Sequence, residues 1–218
     1  MSVAVSAPDQ SDLALQLRQG LAELGIALGP AQSERLLRYL SLVEKWNRVY
    51  SITAIRSEEK MVSVHLLDSL SIAPHVSGKQ VLDVGSGAGL PGIPLAIAKP
   101  ELKVTLLDSN HKKAAFLRHA VAELGLRNAE VVCERVETWR PARKFDCIVS
   151  RALGELAEFV TLAGHLLAPD GVLAAMKGTK PVEEMKHLPA DFRVKQILPL
   201  TVPGLDAERH LVLIERAR

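Results

Sequence analysis

The chain has little cysteine, no long apolar run and almost no charge imbalance. Its two cysteines, Cys133 and Cys147, lie in apolar strand-like stretches without CxxC spacing or clustered histidines, so both are expected as buried reduced thiols, with no disulfide and no metal site. No apolar stretch reaches the ~18 residues that suggest a membrane span, and the N-terminus lacks the charged start and apolar centre of a secretion signal. A cytoplasmic location is the default expectation. A formal net charge of +2 neither demands nor excludes a nucleic-acid partner. Residues 1–78 carry seven Lys/Arg against eight Asp/Glu and the remainder twenty against seventeen, so neither part is a basic tail. An RNA partner would have to be recognised by a local patch and by shape. Internal repeats and low-complexity stretches are also missing. What remains is an ordinary globular composition, 48% hydrophobic and 24% charged, in 218 residues that allow one substantial core and at most a small accessory unit.

The stretch that organises the chain is Val81-Leu82-Asp83-Val84-Gly85-Ser86-Gly87-Ala88-Gly89-Leu90-Pro91-Gly92. Val81 to Val84 have the apolar, β-branched character of a strand buried on both faces. Gly85, Gly87 and Gly89 then let the backbone turn tightly and approach a ligand without a Cβ in the way. Pro91 and Pro94 fit the first turn of a following helix. A strand, a glycine loop and a helix N-terminus in that order form a nucleotide-binding corner.

Before this corner the periodicity is helical. Met1 to Ser11 read as a frayed tail, and Leu13, Leu17, Leu21 and Leu24 mark an amphipathic helix stopped by Gly25. Gly29-Pro30 restarts the chain into a longer helix with Leu36, Leu37, Leu40, Val43 and Trp46 on one face, and Ser57-Glu58-Glu59 begins a third that carries His65, Asp68 and Ser69 to about Ala73. After Gly78, strands are expected near 80–85, 103–108, 130–134, 145–150, 171–177, 192–200 and 209–216. Helices fall between them near 91–98, 111–124, 155–167 and 180–187, with stops or turns at Gly125, Pro169-Asp170-Gly171 and Gly178. A short turn around Pro203-Gly204 makes the last two strands an antiparallel hairpin. The expected organisation is a tail (1–11), a helical cap (12–78) and an α/β domain (79–218) with a seven-stranded, mainly parallel Rossmann-like sheet.

Two registers compete in the glycine loop. Gly85 to Gly89 read as GxGxG, and Gly87 to Gly92 match the dinucleotide pattern GxGxxG. A turn starting directly after Val84 selects the first, and Asp83-x-Gly-x-Gly-x-Gly resembles the first motif of S-adenosylmethionine-dependent methyltransferases. Asp108, about 20 residues on, can accept hydrogen bonds from ribose hydroxyls and suits either an adenosine cofactor or NAD. There is little room for a second substrate domain and no evident hydride-transfer constellation, which favours methyl transfer over a nicotinamide enzyme. A non-catalytic adenosine-binding role is the third class. Val136, Glu137 and Arg151 follow the third and fourth strands and belong at the same carboxyl-end crevice, where Val136 and Glu137 suit an adenine edge. Glu137 also reads as an ordinary surface carboxylate, and His65 as a structural helical histidine.

The fourth strand ends in Ser150-Arg151-Ala152, where amino-methylating enzymes carry Asn/Asp-Pro-Pro-Tyr/Phe and cytosine-C5 enzymes a Pro-Cys nucleophile. An acceptor with its own lone pair, such as guanine N7, needs neither; it needs alignment and charge stabilisation. With Lys45-Trp46-Asn47-Arg48 through Ile52-Thr53, His65 to Leu70, Asp83 to Pro94, Leu107-Asp108-Ser109, Lys112, Phe116-Leu117, Lys177-Gly178 and Glu208 to Val212, the chain resembles the RsmG family, formerly glucose-inhibited division protein B, over about residues 36–216. That family methylates N7 of a guanine (position 527) in the 530 loop of bacterial 16S ribosomal RNA. One departure is Ser51, where the family usually has Asn. The resemblance implies S-adenosylmethionine contact from Gly85, Gly87, Leu90, Asp108, Val136, Glu137 and Arg151, and a substrate side formed by Asn47, His65, Asp68, Lys177, Arg209 and His210. It also implies the small ribosomal subunit, rather than naked RNA, as the better substrate. His65 or Asp68 would orient the guanine, and Lys177 or Arg209 would grip phosphate. Arg48, Arg56, Lys112, Lys113, Arg118, Arg143 and Lys180 are further candidate phosphate contacts. Because N7 lies in the deep, narrow major groove of A-form RNA, the target must be unpaired, distorted or extruded.

Overall fold

The computed structural model describes residues 10–55, 58–151 and 153–217. Most of the expected tail, Arg56, the expected cap residue Ser57, and Ala152 lie outside them. The cap opens with α1 (Gln10–Glu23) and α2 (Pro30–Tyr50). Gly25 takes a left-handed φ of 67°, which ends α1, and Pro30 starts α2 while the Gln32 side chain accepts a hydrogen bond from the Gly29 amide at 2.9 Å.

The third cap segment departs from a regular α-helix. It runs as α3 (Glu58–Met61), a π-helical stretch over Val62–Leu67, α4 (Asp68–Ser71) and a 3-10 turn over Ala73–His75. The π stretch contains His65 and ends against Asp68, so the expected i, i+3, i+4 face of His65, Asp68 and Ser69 is locally unwound. All three are nonetheless buried.

Seven strands form one sheet in the order β3-β2-β1-β4-β5-β7-β6. They are β1 (Gln80–Val84), β2 (Lys103–Leu107), β3 (Ala129–Val132), β4 (Phe145–Ser150), β5 (Leu167–Lys177), β6 (Phe192–Leu200) and β7 (Arg209–Arg216). The first five run parallel, and β7 pairs antiparallel with both β5 and β6. The helices between strands are α5 (Gly92–Ala98), α6 (His111–Glu123) and α7 (Leu156–Ala163). Asn110 caps α6 by accepting from the Lys112 and Lys113 amides at 2.9 and 3.2 Å.

Four expectations change. Pro169-Asp170-Gly171 do not end an element, because β5 begins at Leu167 and bulges between the pairings Leu167 with Phe145 and Val172 with Cys147. The helix expected over 180–187 is only a 3-10 turn, Glu184–His187. Residues 201–208 connect β6 to β7, a longer loop than the expected short turn. Cys133 lies just beyond β3 and is partly exposed, with its Sγ 3.4 Å from His111 Nδ1, whereas Cys147 is buried and its thiol is pushed up to about 12 by that burial.

Strand residues alternate between two cores. Val81, Val104, Leu106, Cys147, Val149 and Leu211 face α5, α6 and the cap, whose Leu17, Leu36, Leu40, Leu66 and Leu70 join the same cluster. Leu82, Val84, Ile148, Leu173 and Val212 face α7 on the other side. The cap thus shares the core of one sheet face and reaches the carboxyl ends of the strands. There β1 and β4, non-consecutive neighbours, open the crevice typical of such sheets.

Candidate active site

The glycine loop is held by the strand beside it. The Gly85 and Ser86 amides donate to the Leu107 carbonyl at 2.9 and 3.1 Å, and the Gly87 amide donates to Asp108 Oδ2 at 2.9 Å. Asp108 Oδ1 accepts from the Asn110 amide at 2.8 Å, so one carboxylate fixes both the loop and the start of α6. Gly85 and Gly87 have φ values of 69° and 59°, a region that a side chain resists. Tyr39, buried on α2, donates its hydroxyl to the Ala88 carbonyl at 2.6 Å and ties the cap to the loop. Burial pushes its phenol well above its ordinary value.

A cavity of about 260 Å³ opens beside the loop, with Gly85, Asp108, Val136, Glu137, Leu153 and Leu162 among its lining residues. A Cβ on Gly85 would lie 4.0 Å from Leu153 across this space. Carboxylates at Asp108 and Glu137 supply acceptors for hydroxyl and amino hydrogens, and apolar side chains supply walls for a flat ring. Glu137 also pairs with Arg135 at 2.8 Å, and its carboxyl is held below the usual range by its own backbone amide and by Arg135. Leu90 is buried behind the loop, its amide donating to Ser86 O at 3.0 Å. Asp83 is fully buried. Its Oδ2 accepts from the Gly92 amide at 2.9 Å, and burial pushes its carboxyl up to about 7.

The remaining expected residues fall into three groups. In the first, Asn47 accepts from the Thr53 amide at 3.0 Å and donates to the Ile55 carbonyl at 3.3 Å, which folds residues 51–55 so that Thr53 Oγ1 meets His65 Nε2 at 3.1 Å. His65 is 1% exposed, and burial with Arg151 nearby pushes its imidazole down to about 4, leaving it neutral at pH 7.

In the second group, Asp68 takes Arg209 Nε on Oδ1 at 3.1 Å and Arg151 on Oδ2 at 3.4 Å. Burial raises the Asp68 carboxyl, and both guanidinium groups work against that rise. Arg151 also donates to the Val64 carbonyl at 2.8 Å. Its guanidinium therefore joins the π-helical cap segment, while its charge also bears on Asp83 and on Tyr39, the two side chains that hold the glycine loop.

The third group lies on the opposite sheet face. Lys177 Nζ is 2.6 Å from both the Gly154 carbonyl and Glu184 Oε2, while Glu184 Oε2 also accepts the Leu156 amide at 2.8 Å. His210 meets the Gly178 carbonyl at 2.8 Å. Alternation along β5 and β7 points Lys177 and His210 toward α7 and Arg209 toward the cap, so the six residues of the expected substrate side do not converge on one point.

Residues 32–212 match the family model described as rRNA small subunit methyltransferase G. The ribosomal RNA small subunit methyltransferase G of Chromobacterium violaceum is 60% identical over 198 residues, covering 90% of this chain and 95% of that protein. The Neisseria meningitidis protein of the same name is 51% identical over 202 residues, covering 92% and 97%. The chain belongs to the rRNA small subunit methyltransferase G family.

Solved structures add the fold alone. Mitomycin 7-O-methyltransferase superposes with a TM-score of 0.60 at 15% identity, covering 96% of this chain and 74% of that one. Coclaurine N-methyltransferase gives 0.56 at 15% identity, covering 89% and 67%. The cofactor of this methyltransferase G family member is S-adenosylmethionine, and the crevice fits it: a Cβ-free approach at Gly85, carboxylate acceptors at Asp108 and Glu137, and apolar walls. Sequence reasoning missed Tyr39, a polar tip inside the apolar stripe of Leu36, Leu40 and Val43, and also Leu153 and Leu162, which line the crevice from the α7 side. The Tyr39 position in that stripe was the one available signal.

Proposed function

We propose that the protein transfers a methyl group from S-adenosylmethionine to N7 of the guanine at position 527 of 16S ribosomal RNA, by direct displacement and without a covalent enzyme intermediate. The observation that carries the displacement reading is the end of β4. Ser150 is buried, its hydroxyl donates to the Val84 carbonyl at 3.1 Å and accepts from the Leu153 amide at 3.3 Å, and it is occupied in shaping the crevice wall. Cys147 is buried with its thiol held protonated. Neither is an available nucleophile. The small ribosomal subunit or an assembly intermediate, in the cytoplasm, is the substrate that this reading favours.

S-adenosylmethionine, when bound, supplies an electrophilic methyl group on its sulfonium sulfur. Asp108 and Glu137 would hold its hydroxyl and amino hydrogens, and the Gly85 backbone would leave room for it. Guanine N7 carries a lone pair and no proton, so no base is required, the methyl–sulfonium bond is the one broken, and the residues act by orientation and charge. Arg151 and Arg209 are the partly exposed members of the cap wall turned to the guanine, and Asp68 and the neutral His65, seated by Thr53, are buried behind them and set their positions. His65 Nδ1 and Ser69 Oγ are buried behind this wall without a hydrogen-bond partner among the described residues. Lys177 holds the Gly154–Leu156 backbone and so positions the crevice wall at Leu153. Incubation with methyl-labelled S-adenosylmethionine and small subunits from a strain lacking the enzyme should place label on N7 of one guanine. Label on another nucleotide, or none, would overturn the assignment.

A further inference from the structure

We infer that the end of α2 is a base-stacking platform for an unpaired nucleotide of the ribosomal RNA, separate from the methylation crevice. This rests on the function proposed above and adds a second contact to it. Val49 and Tyr50 are adjacent and 70% and 49% exposed, an unusual position for two large apolar residues. The Tyr50 ring lies against Trp46, with centroids 5.2 Å apart and planes at 39°. Trp46 is in turn seated on Phe116 at 5.5 Å and His119 at 5.7 Å from α6. A half-exposed ring backed by a supported stack offers one rigid π face to solvent, and every nucleobase has a π face to put on it.

Place and charge identify the occupant. Arg38 meets Glu123 at the far end of α6, and Trp46 meets Phe116 and His119 nearer its start, so the two helices run antiparallel. Tyr50 therefore sits at the carboxyl end of the sheet, the end that carries the glycine loop. The next residues, 51–55, deliver Thr53 to His65. Thr53, which seats His65 of the proposed wall, thus follows the platform residue Tyr50 by three residues. Residues 45–55 and 109–122 contain no Asp or Glu but hold Lys45, Arg48, Lys112, Lys113 and Arg118. Arg48 is paired with Glu44, whereas Lys45, Lys112 and Arg118 are exposed along the two helices. An aromatic face rimmed by cations suits a phosphodiester strand with an unstacked base.

The test uses the full-length enzyme and small ribosomal subunits. Tyr50→Ala should raise KM for subunits about 10-fold, the loss expected of one base–aromatic stack, with kcat and S-adenosylmethionine affinity unchanged. Tyr50→Phe should keep the native KM, because the ring and not the hydroxyl makes the contact. Ultraviolet irradiation of the native complex should leave a nucleotide adduct on the peptide holding Trp46 and Tyr50. Native KM in Tyr50→Ala overturns the platform, as does an adduct of that peptide with ribosomal protein in place of RNA. If the native enzyme itself fails to methylate subunits, the function proposed above fails and takes this contact with it. Unchanged cofactor affinity in Tyr50→Ala rules out misfolding as the cause of a raised KM.

Discussion

Removing the Asp68 carboxylate should destabilise the fold strongly for a single polar substitution. Its side chain is 3% exposed and carries two guanidinium contacts, from Arg209 at 3.1 Å and Arg151 at 3.4 Å, which join the cap to the ends of β7 and β4. Breaking a buried ion pair from one side costs ~3–5 kcal/mol, because the abandoned charges stay desolvated. Here each arginine is 24% exposed and can recover part of its hydration, so the lower end applies. Asp68→Ala should cost ~3 kcal/mol, or roughly 6–12 °C in Tm for a chain of this size. Asp68→Asn, which keeps one acceptor oxygen, should fall in between. Urea unfolding of Asp68→Ala, Arg209→Met and the double variant would isolate the pairwise part, expected at ~1–2 kcal/mol. A Tm within about 2 °C of native for Asp68→Ala, with additive single effects, would refute the buried-hub reasoning.

Three further outcomes are expected. His65 is pushed down to about 4 in the folded state, below its ordinary 6.5, so the unfolded chain binds the extra proton between those values. The stability due to neutral His65 is fully present above pH 6.5 and is lost as pH falls toward 4; His65→Gln should therefore lose less stability than the native chain between pH 7 and 4.5, read by urea midpoints. A Cβ at Gly92 would come within 2.3 Å of Leu106 and 2.7 Å of Asp83 Oδ2, so Gly92→Ala should lower stability by ~2–3 kcal/mol. Gly85→Ala meets no such clash, so only its left-handed φ of 69° costs stability, ~1 kcal/mol, and it should in addition weaken S-adenosylmethionine binding; thermal melting and calorimetry together would check the contrast. Ser51 holds a left-handed φ of 48° at the end of α2. Ser51→Gly should stabilise by ~0.5–1 kcal/mol with cofactor affinity unchanged, and a loss of stability would show that its side chain contributes more than its backbone costs.

The left-handed backbone at position 51 also suits Asn. Asn tolerates the left-handed region better than other non-glycine residues, so the amide need not touch a substrate for Asn to be favoured.

Local chemistry was enough to read the strands, the glycine corner and the ends of α1, α2 and α6. Buried parallel strands are continuous apolar runs, and Gly25, Pro30 and Gly125 act within a few residues of themselves. The place of Asp108 beside the glycine loop was equally accessible, but its hydrogen bond to the Gly87 amide was not among the expectations, which had its carboxylate turned to ribose hydroxyls. Features governed by distant partners were not accessible in that way. The bulge that absorbs Pro169 to Gly171 depends on pairing with β4, and the π stretch around His65 lies in a segment packed on α1 and enclosed in the shared core. Arg151 follows the crevice strand in sequence, yet its side chain reaches Asp68 across the fold because a buried carboxylate must find cations wherever they lie. The separation of Lys177 from Arg209 has the same origin: both stand at strand ends in neighbouring positions, and only the alternation of the assembled sheet sends one toward α7 and the other to the cap.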